Sequence, residues 1–256
     1  MQAAELVCFR ERERVGTGCQ GRVEYGQIVP RACAASEQPD EVDFHDGKLD
    51  IASSNEFSNN MTVYLGNGDG SFVSRHDYGT GGGSAFIAAA DLNFDTIPDL
   101  ITANRPANTV SVFLGSFTGI FSPKTDYGVG STLLSVAVGD FNRDSLSDLA
   151  VSNGAAVTSS VSILLGNGIG GFGPATNYPN ATSSFCILVS DVNLDGKPDV
   201  VTANQESTTS PCFWGRGDGT LDARTEFNIG PLNESATVGD FNPAGGSSRG
   251  NNYRID

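Results

Sequence analysis

The chain has 256 residues, 32 of them glycine, and thirty acids against fifteen bases give it a formal charge of −15 and a pI near 4.3. That charge argues against nucleic acid and anionic membrane surfaces as partners, and no apolar run approaches the roughly 18 residues of a membrane-spanning helix. Abundant glycine with frequent Ser, Thr and Asn suits short strands joined by tight turns, so the expected class is all-β.

Residues 1–41 form a non-repetitive leader, expected to be disordered, with Glu5, Arg10, Glu11, Arg12, Glu13 and Arg14 where a signal peptide would carry its apolar stretch. Three of the five cysteines, Cys8, Cys19 and Cys33, fall in it without metal-type spacing. The repeat region spans 42–242. It opens on Asp43-Phe-His45-Asp46-Gly47-Lys-Leu-Asp50, a loop one residue shorter than three that follow. Those are Asp91-Leu-Asn93-Phe-Asp95-Thr96-Ile97-Pro-Asp99, Asp140-Phe-Asn142-Arg-Asp144-Ser145-Leu146-Ser-Asp148 and Asp191-Val-Asn193-Leu-Asp195-Gly196-Lys197-Pro-Asp199.

Four side-chain oxygen donors in nine residues repel one another unless a cation joins them. Positions 1, 3, 5 and 9 supply carboxylate and amide oxygens, and position 7 offers the carbonyl of Ile97, Leu146 or Lys197; the hard oxygen set points to Ca²⁺. Gly196 permits a left-handed turn that Thr96 and Ser145 adopt only with strain. Three bound ions would move the formal charge from −15 to −9, which predicts that calcium removal destabilises the fold.

The first-position acids recur as Asp43, Asp91, Asp140, Asp191 and Asp240, and a glycine ending an apolar strand recurs as Gly66, Gly115, Gly166 and Gly215. Each glycine precedes the next acid by 25 residues, so length varies only in the other half of the unit, notably at the Ser- and Ala-rich connection 153–160. Four strands are predicted per unit, exemplified by 86–90, 100–103, 110–114 and 121–127. Asn55, Asn104, Asn153 and Asn204 each stand five residues after a loop's last Asp, where a turn conformation is expected. Phe72, Phe121, Phe172 and Leu221, then Tyr78, Tyr127, Tyr178 and Phe227, keep fixed distances from the glycines and predict packing between units.

Four-stranded units of about fifty residues stacked face to face describe a β-propeller or a partial one. After Asp240-Phe-Asn242 the pattern stops, and 243–256 is expected to be a disordered tail. Both ends look foreign to the repeat, so the expectation is a fragment or mis-framed reading of a longer secreted protein.

The loops, together with Val-Gly-Asp-Phe-Asn at 138–142 and 238–242 and Leu-Gly-Asn-Gly-Asp-Gly-Ser-Phe at 65–72, resemble FG-GAP repeats of the VCBS type. Similar repeats build the propeller of integrin α chains, some fungal lectins and accessory domains of secreted enzymes. The resemblance implies calcium held in a β-hairpin by Asp191, Asn193, Asp195 and Asp199, with Asp91–Asp99 and Asp140–Asp148 as near copies. It also implies a non-catalytic extracellular or cell-surface protein, monomeric or part of a larger chain, that serves adhesion by binding a protein or glycan. A substrate-binding domain of a secreted polysaccharide-active enzyme and a lectin are the competing readings.

Other motifs lack their context. Gly166-Asn-Gly168-Ile-Gly-Gly171 fits a dinucleotide fingerprint but joins two strands, and Gly246-Ser-Ser248-Arg-Gly250 has no strand-turn-helix setting. Only His45 and His76 exist, which disfavours His-based catalysis. Cys186 and Cys212 are read as buried thiols, with a disulfide between them as the alternative. Trp214 aligns with Leu65, Leu114 and Leu165 and is read as core.

Overall fold

The computed structural model describes the backbone at residues 4–8, 19–24 and 27–30, and in full residues 47–154, 159–180, 184–204, 207–229, 236 and 238. The described residues contain strands and no helix. From the leader come β1 (Ala4–Cys8), β2 (Cys19–Glu24) and β3 (Gln27–Pro30). Blade 1 adds β4 (Ile51–Asn55), β5 (Asn60–Gly66) and β6 (Phe72–Gly79). Blade 2 is β7 (Ser84–Ala90), β8 (Asp99–Asn104), β9 (Thr109–Phe113) and β10 (Thr125–Gly128). Blade 3 is β11 (Leu133–Gly139), β12 (Asp148–Asn153), β13 (Ser160–Leu164) and β14 (Thr176–Pro179). Blade 4 is β15 (Ser184–Ser190), β16 (Asp199–Asn204), β17 (Thr209–Phe213) and β18 (Thr225–Asn228).

Blades 2 to 4 are four-stranded antiparallel meanders, whereas the first sheet has six strands in the order β3-β2-β1-β4-β5-β6. The leader therefore contributes strands where the sequence suggested none. β1 pairs Ala4 with Asn55 much as β7 pairs Ser84 with Asn104, so it stands where later blades place their first strand. Without β1, the amides and carbonyls of β4 would form an open sheet edge. The 43 loop up to residue 46, the centre of the 153–160 connection, the 240 loop and the tail lie outside the described residues.

The fourth strand is shorter than expected in three blades: β10, β14 and β18 begin only at Thr125, Thr176 and Thr225. Pro123 and Pro174, which carry no N–H for the ladder, precede two of them, but β18 starts at the same place without a proline. β6 starts earlier, at Phe72.

Blades stack face to face, which is why their middle strands are apolar on both sides. Ala52, Met61 and Val63 of blade 1 pack on Ile87, Leu100 and Phe113 of blade 2. Ile101, Val110 and Val112 meet Leu133, Leu149 and Leu164 of blade 3, and Val161 and Ile163 meet Ile187, Val200 and Phe213 of blade 4. Ala236 closes over Cys186, Leu188, Val201 and Cys212, with Trp214 packed beside them. Cys212 is a free buried thiol, as read, whereas Cys186 is not a thiol but disulfide-bonded, and not to Cys212.

The repeated asparagines are not turn residues. Asn104, Asn153 and Asn204 are fully buried at strand ends, and the left-handed backbone sits instead at Asn59 and Asn108 (both φ 55°). The Asn104 side-chain amide donates to Ser111 Oγ at 2.7 Å, and Ser111 Oγ donates to Asp126 Oδ1 at 2.6 Å. Asn153, Ser162 and Asn177 repeat this relay, as do Asn55, Thr62 and Asp77. A buried hydroxyl needs such partners, and the asparagine supplies them.

The strand-ending glycines answer to space, not to φ. A Cβ on Gly66, Gly115, Gly166 or Gly215 would fall less than 3.0 Å from the carbonyl oxygen of Leu49, Pro98, Ser147 or Pro198, the residue just before each loop's final Asp. Gly166→Ala is expected to cost about 3 kcal/mol in urea unfolding, because backbone must move. Gly128→Ala, with nothing within 4 Å, should be neutral or slightly stabilising.

Candidate metal-binding loops

Each nine-residue loop joins the first strand of a blade to the second, and all three fold alike. Asp91 Oδ2, Asp140 Oδ2 and Asp191 Oδ2 accept the backbone N–H of Thr96, Ser145 and Gly196 at 2.9, 2.9 and 2.8 Å. Asn93, Asn142 and Asn193 accept the N–H of Asp95, Asp144 and Asp195 at 3.1, 3.0 and 2.9 Å. Those position-5 acids accept in turn from Ile97, Leu146 and Lys197 at 2.8, 2.8 and 3.0 Å. Positions 1, 3 and 5 are thereby gathered at the tip of the hairpin.

Position 9 does something different. Asp99, Asp148 and Asp199 are fully buried, and both oxygens of each accept a backbone amide. One bond comes from the loop's second residue, Leu92, Phe141 or Val192, at 2.9, 2.8 and 3.0 Å. The other comes from the strand-ending glycine, Gly115, Gly166 or Gly215, at 2.8, 2.7 and 2.8 Å. Even the shortened first loop keeps the second bond, Gly66 N–H to Asp50 Oδ1 at 2.8 Å.

Burial pushes the Asp99 carboxyl up to about 6, two amide bonds oppose the rise, and the charges of Asp95 and Asp91 add to it. Burial likewise raises Asp148 and Asp199. The exposed Asp195 is lowered, chiefly by the Lys197 side chain, whose Nζ donates to Asp195 Oδ2 at 2.9 Å. In the other two loops that oxygen accepts instead from the Asn93 or Asn142 side-chain amide, at 2.9 and 2.7 Å.

Among the described residues no three His, Cys, Asp or Glu side chains converge tightly enough to hold a metal by themselves. A calcium loop draws on amide and backbone carbonyl oxygens as well, and positions 1, 3 and 5 meet that chemistry. At position 9 both carboxylate oxygens already accept backbone amides.

The loops contain a second left-handed residue that the sequence did not signal. Position 4 has φ of 61° at Phe94, 62° at Arg143 and 58° at Leu194, in addition to position 6 at Thr96 (69°), Ser145 (68°) and Gly196 (81°). The position-4 side chain points outward, leaving Phe94 54% and Leu194 70% exposed. The turns between third and fourth strands share this end of the molecule, as the bond from Gly170 N–H to Leu92 O at 3.1 Å shows. They add exposed Phe117, Ile120 and Ile169. The 153–160 connection, where the sequence placed variability, joins strands at the opposite end.

Matches to the FG-GAP-like repeat profile cover residues 45–102, 93–151 and 191–243, more than half of the chain. The chain belongs to the FG-GAP-like repeat family. No curated protein matches it. Among solved structures, an Agrocybe aegerita lectin that recognises non-reducing terminal N-acetylglucosamine superimposes with TM-score 0.50 at 20% identity, covering 73% of this chain and 51% of the lectin. BBS1N in complex with ARL6DN gives TM-score 0.51 at 15% identity, covering 73% of this chain and 54% of BBS1N. The FG-GAP chain thus spans about half the length of these structures and shares their fold.

Two outcomes test the loops. A β-branched Thr96 in left-handed backbone costs about 1–2 kcal/mol, partly offset by the flexibility glycine brings, so Thr96→Gly should stabilise by about 0.5–1 kcal/mol in urea unfolding. A carboxyl whose folded pKa is raised makes the native state bind more protons than the unfolded chain between its ordinary value and about 6. With chelator present, the thermal midpoint should therefore rise as pH falls from 7 towards 5, and Asp99→Asn should diminish that rise.

Proposed function

We propose that this FG-GAP protein is a calcium-stabilised, non-catalytic binding module of the cell exterior that offers the loop end of its blades to a protein or glycan partner in adhesion. The observation that supports it best is the common hydrogen-bonded form of the three loops. Asp, Asn and Asp at positions 1, 3 and 5 share one partly exposed tip whatever stands at positions 4 and 6. Bound there, calcium would neutralise the clustered acids and brace the hairpin; Asp91, Asn93 and Asp95, with their counterparts, would hold it. The ion's part is structural, because carboxylates occupied in this way leave no base for catalysis. The lectin with the same fold makes a glycan a natural class to examine, and an accessory role beside a secreted polysaccharide-active enzyme would use the same surface.

Calcium removal tests the reading. Melting in excess calcium and in chelator should differ by several degrees for the wild type, as ligand linkage requires, and Asp195→Ala should shrink the difference. Identical midpoints in all four conditions would refute structural calcium. A glycan array run with calcium then separates sugar ligands from protein ones.

A further inference from the structure

Every joint between described blades reuses one contact. Four residues after the strand-ending glycine comes a second glycine, and on it sits the leucine that precedes the strand-ending glycine of the blade before. A Cβ on Gly119, Gly170 or Gly219 would lie less than 3.0 Å from a side-chain methyl of Leu65, Leu114 or Leu165. Two joints add a backbone bond from that glycine, Gly170 N–H to Leu92 O at 3.1 Å and Gly219 N–H to Phe141 O at 2.9 Å. The joint between blades 1 and 2 adds Phe121 N–H to the Tyr78 hydroxyl at 3.3 Å.

The counterpart in blade 1 is Gly70, which has nothing within 4 Å of the same point among the described residues. Phe72 beside it is 44% exposed, against 5% for Phe121 and 6% for Leu221. Tyr64 takes the place of the fully buried Phe113 and Phe213 yet is only half-buried. Its ring meets Phe72 edge-on at 5.8 Å, and the Arg75 guanidinium lies 6.0 Å from its centroid. Among the described residues, nothing fills here the socket that the other joints fill with leucine.

We propose that this face of blade 1 is a docking surface for a further blade of the same repeat type, from outside these 256 residues. It would seat its own leucine on Gly70 and cover Phe72 and Tyr64. Continuity with the three established joints specifies the occupant: an aliphatic blade face with leucine directly before its strand-ending glycine. A second copy of the chain has none to offer among its described residues. Its Leu65, Leu114 and Leu165 are already seated, and at the fourth place Trp214 holds Thr225 Oγ1 through Nε1 at 2.9 Å with its ring against Phe227.

The test extends the full chain at its N-terminus with an additional copy of residues 84–130, the leader serving as tether, and follows amide hydrogen exchange residue by residue. Docking should protect the amides of the added blade and slow exchange at Gly70 by about tenfold or more. Replacing the added blade's leucine (its copy of Leu114) by Asp should abolish the slowing at Gly70. An added blade that stays unprotected, or one that is protected while Gly70 exchanges as before, overturns the proposal. In the unextended chain Phe72→Ser should leave the melting temperature nearly unchanged while Phe121→Ser lowers it markedly. Equal losses would mean that the blade 1 face is already covered, which also overturns it.

Discussion

A buried aspartate clamped between two backbone amides organises each blade. Asp99, Asp148 and Asp199 tie the loop's second residue to the glycine that ends the third strand, so one carboxylate fixes the hairpin tip, the start of the second strand and the end of the third. The glycine contributes an N–H to the clamp and, by lacking a Cβ, lets the carbonyl before the aspartate come close. Neither residue would be useful without the other, since a buried carboxylate with missing donors is costly. Asp50 and Gly66 make the same bond in blade 1, where the loop is one residue shorter in sequence.

Much of this was legible because repetition turns single residues into markers. The 25-residue spacing from glycine to acid located the blades, and the apolar middle strands showed that both faces would be covered. What each marker does physically was harder to see. The asparagine pattern suggested a turn, but Asn104 is a buried amide feeding a hydroxyl relay, and only coordinates distinguish those roles. The final loop Asp read as one more oxygen ligand, whereas its distinguishing feature is burial, which depends on strands about sixteen residues away in sequence. The leader carries no repeat, so its pairing with β4 left no periodic trace.

The three loops also differ in how freely their tips could receive a cation. Judged by residue type, the loop from Asp191 is the most complete, with glycine at position 6. In the folded chain its Asp195 already holds the Lys197 ammonium, a competitor that the loops with Ile97 and Leu146 lack. Thr96 and Ser145 bring strain of their own to those loops. Charge competition and backbone strain thus fall on different loops, and counting oxygen donors ranks them only in part.

Position 4 of each loop carries a wider consequence. Phe94, Arg143 and Leu194 adopt one backbone conformation although their side chains have nothing in common, because hydrogen bonds from positions 1, 3 and 5 impose the turn. The fold therefore keeps a set of rigid pegs at one end whose chemistry can be exchanged at little cost to the blade beneath. A scaffold built this way can change what it touches by single substitutions, blade by blade, while its architecture stays fixed.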